Sequence, residues 1–309
     1  MTGSCGKTTS TEAVCVVSAA ISCDAGFLQQ IRSLKFNGTV HSIFDRTVNL
    51  KCRTNGELYT IATDSVDNAP NTLVTDIDSF SKRGLVIGDE VYAEGERLYV
   101  GKNAAVMLQQ VHVWRSKLPS YPEDEDILRN HVAEAQLWIE AHGKAGGMKR
   151  SAETGNSFDQ EMDRLLRERS AGLLEALSKG EVSLASHYAI QLIGLGPGLT
   201  PSGDDFLVGL YAVMNLTNGP LFKIRHMCER VVAASADRSN PISYMALKKA
   251  ASGQVRESIG EFMHHMIHGS KTEVISRLSR VLGTGSTSGT DIALGLVNGL
   301  KLSIERNGR

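Results

Sequence analysis

The run Gly194-Leu195-Gly196-Pro197-Gly198-Leu199-Thr200-Pro201-Ser202-Gly203-Asp204-Asp205-Phe206 gathers residue types that bind small anions and move protons. Alternating glycines allow close backbone approach, so Gly196, Gly198 and Gly203 are candidate substrate-binding positions. Thr200 stands where a helix N-cap belongs, and Pro201 suits the first helical turn. A helix starting there offers free N–H groups and the positive end of its dipole to an anion. Thr200 and Ser202 add hydroxyl donors. Residues 201–216 are apolar on nearly every side, so this helix is expected to be buried and to carry Asp204 and Asp205 inward. Adjacent carboxylates point about 100° apart on a helix and cannot share one partner. Close like charges raise each other's pKa unless a cation, a donor or a substrate intervenes. Both are candidate proton acceptors, and candidate ligands if Mg²⁺ is a cofactor.

The pattern recurs. Ser202-Gly203-Asp204-Asp205-Phe206-Leu207-Val208-Gly209-Leu210 aligns without gaps to Ser288-Gly289-Thr290-Asp291-Ile292-Ala293-Leu294-Gly295-Leu296. The second copy follows its own Gly283-Thr284-Gly285-Ser286-Thr287 loop. Gly209 and Gly295 fall where they would let the two helices pack closely. The simplest physical reading is a pseudo-symmetric pair of helix starts building one site, lined by Ser202, Gly203, Ser288 and Gly289, with Asp205 and Asp291 equivalent. A single Ser-Gly-Asp start is as easily explained by ordinary capping; two copies with the glycine run favour function.

The elements that would position this site fall into two groups. Between about 13 and 118 short strands and turns dominate: 13–19, 39–44, 47–52, 58–63, 90–93 and 97–100, with a short helix over 24–34. Asn55-Gly56 between alternating runs is a hairpin turn. Beyond Pro119 and Pro122 helical periodicity takes over: 127–141, 158–177, 182–192, 201–216, 220–235, 242–251, 255–268, 271–281 and 288–303. A Gly/Lys-rich stretch at 143–154 reads as a mobile loop. The fold class is therefore α+β, with a β-rich domain over 13–120 (a small antiparallel sheet or barrel) and an all-helical domain over 121–309.

These motifs resemble a known family. Residues 194–206 look like the signature of a bacterial family that includes AllH, a subunit of oxamate carbamoyltransferase in anaerobic allantoin breakdown, a branch of purine catabolism. Thr287-Ser288-Gly289-Thr290-Asp291 resembles its second motif, in which an aromatic residue often stands at Thr290. His41-Ser42-Ile43-Phe44-Asp45-Arg46-Thr47-Val48-Asn49-Leu50 matches its N-terminal strand pair, and Arg238-Ser239-Asn240-Pro241-Ile242-Ser243 the turn before one of its helices. The resemblance implies carbamoyl transfer between a small carboxylate and phosphate, and further carbamoyltransferase subunits as partners. It adds Arg238, Asn240, Arg46 and Asn49 as candidate substrate-binding residues. Two rival readings stay open: a non-catalytic subunit that binds a small carboxylate or phosphate, and a metal-dependent hydrolase using the aspartates.

Composition narrows the classes. With 33 basic and 34 acidic side chains the net charge is −1, which gives no electrostatic reason to expect nucleic acid or an anionic membrane. Five scattered cysteines form no CxxC pair, which points to reduced thiols and a soluble cytoplasmic protein. No apolar run reaches the roughly 20 residues of a membrane span. Gly3-Ser4-Cys5-Gly6-Lys7-Thr8-Thr9 ends like a phosphate-binding loop but has two residues between its glycines where that motif needs four. His264, His265 and His268 lack an acidic partner in zinc-site spacing and read as a helix face.

Overall fold

Period-two alternation of buried and exposed side chains shapes the first of two units. The computed structural model describes residues 16–33, 35–149 and 156–308, so the lysine-containing glycine segment at 3–9 lies outside the described residues. The chain divides into two compact units after Arg115. The first contains β1 (Val16–Asp24), α1 (Ala25–Arg32), β2 (Asn37–Ile43), β3 (Thr47–Cys52), β4 (Leu58–Thr63), β5 (Thr72–Thr75), β6 (Glu90–Glu94), β7 (Arg97–Val100), β8 (Ala104–Met107) and β9 (His112–Trp114). The strands lie in the order β5-β4-β3-β2-β6-β7-β8-β1-β9, and an antiparallel β5–β1 pairing closes the sheet into a barrel. Gly56, at φ +70°, makes the tight turn between β3 and β4. Most pairings are antiparallel as expected. The parallel ones are β1–β8, β1–β9 and β4–β5; β1 is far from β8 and β9 in sequence, whereas β4 and β5 are joined by residues 64–71 alone. Phe27 of α1 packs on Phe36 and Tyr59 inside the barrel.

The second unit is helical: α2 (Asp126–His142), α3 (Ser157–Lys179), α4 (Val182–Leu192), α5 (Ser202–Met214), α6 (His226–Ala233), α7 (Pro241–Ala251), α8 (Glu257–His268), α9 (Lys271–Leu282) and α10 (Ser288–Asn307). The single helix expected over 220–235 is instead a 3-10 turn, Phe222–Ile224, followed by α6. Every residue of α5 is buried, as its apolar circumference requires. Among the described residues, no helix is long and apolar enough to cross a membrane.

Helices α5 and α10 run parallel, side by side. Gly209 meets the backbone of Gly295 and Leu296, Gly295 meets that of Phe206 and Leu210, and Gly299 meets Val213. These contacts cluster around the offset of 86 residues that separates Ser202 from Ser288, the mark of parallel packing in register. A methyl group on Gly209 or Gly295 would fall under 3.0 Å from the facing backbone, so only glycine allows this approach. Gly203 and Gly289 repeat the device at the helix starts, against the carbonyls of Leu192 in α4 and Val281 in α9. Each copy of the repeat is therefore a helix, a loop and a second helix.

Gly295→Ala should lower unfolding free energy by about 3 kcal/mol, because backbone cannot yield as a flexible side chain does. Urea denaturation checks this; a loss below about 0.5 kcal/mol would mean the helices do not meet there.

Candidate functional site

Parallel packing brings the two helix starts to one end of the bundle, and the equivalent side chains cross over. Ser202, first in α5, lies beside Asp291 of α10: a Cβ on Gly147 would sit 2.6 Å from both the Asp291 Oδ1 and the Ser202 Oγ. In the mirror relation, Asp205 of α5 faces Ser288 of α10. Thr200 joins this second half, its hydroxyl 2.6 Å from that of Ser288. It does not cap its own helix, because α5 starts one residue later than expected, behind Pro201. The N–H groups of Gly203 and Gly289 bond the carbonyls of Leu195 and Thr284. Those of Ser202 and Ser288 donate to no backbone carbonyl among the described residues.

Three buried polar atoms at this end, Ser202 Oγ, Asp205 Oδ2 and Asp291 Oδ2, make no hydrogen bond of ordinary geometry, although the Ser202 hydroxyl lies beside the Asp291 carboxyl and those of Ser288 and Thr200 beside Asp205. Their residues are 0%, 5% and 0% exposed, so solvent does not satisfy them freely. Burial pushes the Asp205 carboxyl up to about 7, against the opposing help of the Ser288 and Thr200 hydroxyls; Asp291 and Asp204 add to the rise. Burial likewise pushes Asp291 up to about 6, offset in part by the Met148 N–H and the Ser202 hydroxyl. Both carboxyls thus titrate near neutrality.

Asp204 is built differently. Its Oδ1 accepts from the Gly194 N–H at 2.7 Å, and its Oδ2 from Ser243 at 2.7 Å and from Ser239. Burial raises its pKa while these donors hold it down. With both oxygens engaged, Asp204 and Asp205 do not converge on a common cation; the structure brings Asp205 and Asp291 together instead. Among the described residues, no three His, Cys, Asp or Glu side chains converge as metal ligands. His264 and His268 pack ring to ring on the outer face of α8.

The segment at 143–149 is no free loop. It is tied across the start of α10: the Lys144 N–H donates to Thr290 Oγ1 at 2.8 Å, Lys144 Nζ to the Gly285 carbonyl at 2.7 Å, and the Met148 N–H to Asp291 Oδ1 at 2.7 Å. Lys149 Nζ caps the end of α2 through the carbonyls of Ile139, Glu140 and Gly143. Residues 150–154 of the expected mobile loop lie outside the described residues.

The remaining candidates divide. Asn240 caps α7 through the N–H groups of Ile242 and Ser243, and its amide donates to the Leu199 carbonyl, so it holds the glycine run in place. Arg238 is exposed; what it brings to the loop is its backbone carbonyl, packed on Gly194. In the barrel unit, Asn49 is buried between Ser42 and Thr60, bonding both, and Arg46 is exposed in the β2–β3 turn.

Comparison with known families decides the kinship. The model of the oxamate carbamoyltransferase subunit AllH matches residues 192–300, and that of the AllH family N-terminal domain matches residues 19–113. The chain belongs to the AllH family. No solved structure matches it. In this AllH-family chain, the first match contains both helix starts and the turn carrying Ser239 and Ser243. The strap at 143–149 lies outside both matched segments, and sequence reasoning missed its contribution. Its clue was Gly146-Gly147, read as flexibility where the backbone needs a close approach to a carboxylate.

The two raised aspartates predict a pH signature. A carboxyl whose folded pKa is raised contributes fully below its unfolded value, 3.8 for Asp205, and loses stability as pH rises through the folded value near 7. Relative to wild type, Asp205→Asn should gain about 1.4 kcal/mol per pH unit between roughly pH 4 and 7, then level off. Chemical denaturation at a series of pH values measures this, and a difference independent of pH would mean that folding does not raise the proton affinity of Asp205.

Proposed function

We propose that this chain acts as a subunit of a carbamoyltransferase, with the adjoining starts of α5 and α10 holding a small anionic substrate. The observation that supports this most is the pair of parallel helix N-termini with unengaged Ser202 and Ser288 N–H groups. Two positive dipole ends side by side attract a carboxylate or phosphate more strongly than either alone. Gly196 and Gly198 lie in the exposed loop beside them and would let a ligand approach the backbone.

In the reaction that the family name implies, an amide nitrogen of the acceptor acid attacks the carbamoyl carbon of carbamoyl phosphate. The new C–N bond forms, the C–O bond to phosphate breaks, and the nitrogen gives up one proton. In this reading, N–H groups at the helix starts stabilise the oxyanion of the tetrahedral intermediate. Asp205, with a carboxyl near 7, suits the role of proton acceptor. Asp291 is its counterpart, and Asp204 positions the loop rather than touching substrate. Further subunits complete the enzyme in this reading, as the family's description as a subunit implies. The free, buried Cys23, Cys52 and Cys228 fit a reducing cytoplasm. A hydrolase built on a metal held by Asp204 and Asp205 draws no support from a site in which both Asp204 oxygens are engaged.

Carbamoyl phosphate or inorganic phosphate at about 100 times its Kd should stabilise the folded chain by about 2.7 kcal/mol, seen as a rise in Tm. Ser202→Ala should reduce the rise, and Gly147→Val, which pushes a side chain into the Asp291 and Ser202 space, should abolish it. Absence of any shift with phosphate, carbamoyl phosphate, oxamate or oxalurate would refute the anion site.

A further inference from the structure

We propose that His264 and His268, one turn apart on α8, form a binding site for a late first-row divalent cation such as Ni²⁺ or Zn²⁺. The site uses none of the residues assigned to the anion site, so the two readings stand or fall separately.

Three histidines lie close together on α8, and their surroundings separate them. Residues i and i+4 share a helix face, so His264 and His268 are neighbours on it. Their ring centres are 4.9 Å apart, and both residues are exposed. Two imidazole nitrogens about 2.0–2.1 Å from one metal, at about 90–109° to each other, put the ring centres about 4.5–5.2 Å apart. The observed separation falls inside that window. The torsion that turns a histidine ring about its Cβ–Cγ bond is soft, so each exposed ring can aim a nitrogen at a shared ion. His265 is engaged elsewhere: its Nδ1 faces the Glu261 carbonyl at 2.8 Å, and its ring meets that of His264 edge-on.

The charges around the pair bear on whether a cation is held. Desolvation lowers the His264 pKa, and the charges of His268, His265 and Lys117 lower it further, so this ring is neutral at pH 7.5, as ligation requires. His268 lies in the last turn of α8, where the negative end of the helix dipole favours a cation. Glu261, one turn before His264, adds negative charge but shares it with Arg277 and Arg280. Glu273 adds more beside His265, while Lys117 opposes the ion from the side of His264. Imidazole suits Zn²⁺, Cu²⁺ and Ni²⁺, whereas Mg²⁺ takes oxygen ligands and keeps its water. Among the described residues no third His, Cys, Asp or Glu side chain converges on the pair, so water completes the coordination shell.

Isothermal titration calorimetry of Ni²⁺ into the full chain at pH 7.5 tests this, with Ni²⁺ as the probe because it is less drawn to thiols than Zn²⁺. Wild type should bind Ni²⁺, and excess Mg²⁺ should not displace it. His264→Ala and His268→Ala should each weaken binding by about tenfold or more, because in the pair the second ligand acts intramolecularly. His265→Ala should leave the affinity unchanged. Alanine is the best helix former and both positions are exposed, so the two variants keep the fold. At pH 5.5 protons compete for the imidazoles, so wild-type affinity should fall toward that of the variants. Undetectable Ni²⁺ binding overturns the proposal. So does an affinity that neither His264→Ala nor His268→Ala changes, or a loss confined to His265→Ala.

Discussion

Two helices set parallel, with their N-termini side by side, govern the rest of the helical unit. Each carries roughly half a positive charge at its start, so the arrangement is electrostatically unfavourable unless negative charge is placed between them. Asp205 and Asp291 supply it, each in the first turns of its own helix and each reaching across to the serine of the other. The Gly209–Gly295 contact sets how close the axes come, and so how closely the two carboxyls approach. Packing and charge are therefore one constraint. A bulkier residue at the crossing would separate the helix starts as well as disturb the core.

That constraint explains why both carboxyls are buried although burial opposes ionisation. A buried acid is costly unless something compensates it; here the compensation is fractional helix charge and hydroxyl groups rather than full counter-ions. The result is a pair held near neutrality, able to lose or take up a proton without a large change in free energy. The position one residue earlier does another task. Asp204 ties Gly194 and the Ser239–Ser243 turn to the start of α5, while its counterpart Thr290 ties Lys144 and the strap to the start of α10. In both copies, this residue fastens the segment that lies over its own helix start.

Local pattern carried much of this in the sequence. The gapless recurrence of serine, glycine, aspartate, glycine and leucine was enough to foresee the paired helix starts, and the apolar circumference of 201–216 to foresee their burial. The hairpin at Asn55-Gly56 and the alternating strands were legible because turn chemistry and period-two patterning are local. Barrel closure through β1 and β5 was not, since it depends on pairing between strands about 50 residues apart. The strap was misread for a related reason. Glycine marks both a flexible linker and a close approach, and only tertiary structure shows that Gly147 faces a carboxylate. Asp204 and Asp205 read alike as candidate proton acceptors, whereas the structure sets Asp205 near Asp291, 86 residues on, and turns Asp204 to Gly194, Ser239 and Ser243.

The site's departures from symmetry complete the physical account. Six residues separate Leu195 from Ser202, but three separate Thr284 from Ser288, although Leu195 and Thr284 make equivalent turns. The longer loop reaches across with Thr200 to bond Ser288 and stays largely exposed. The shorter one leaves room for the strap, which lays Gly147 and Met148 over Asp291. Asp205 therefore keeps company with hydroxyls under an accessible loop, while Asp291 is covered and holds a backbone N–H. Burial raises both carboxyls, and in each half neighbouring donors oppose the rise. Two equivalent acids in identical surroundings would share one behaviour. Unequal cover gives the two acids different donors: hydroxyls around Asp205, and a backbone N–H with one hydroxyl at Asp291.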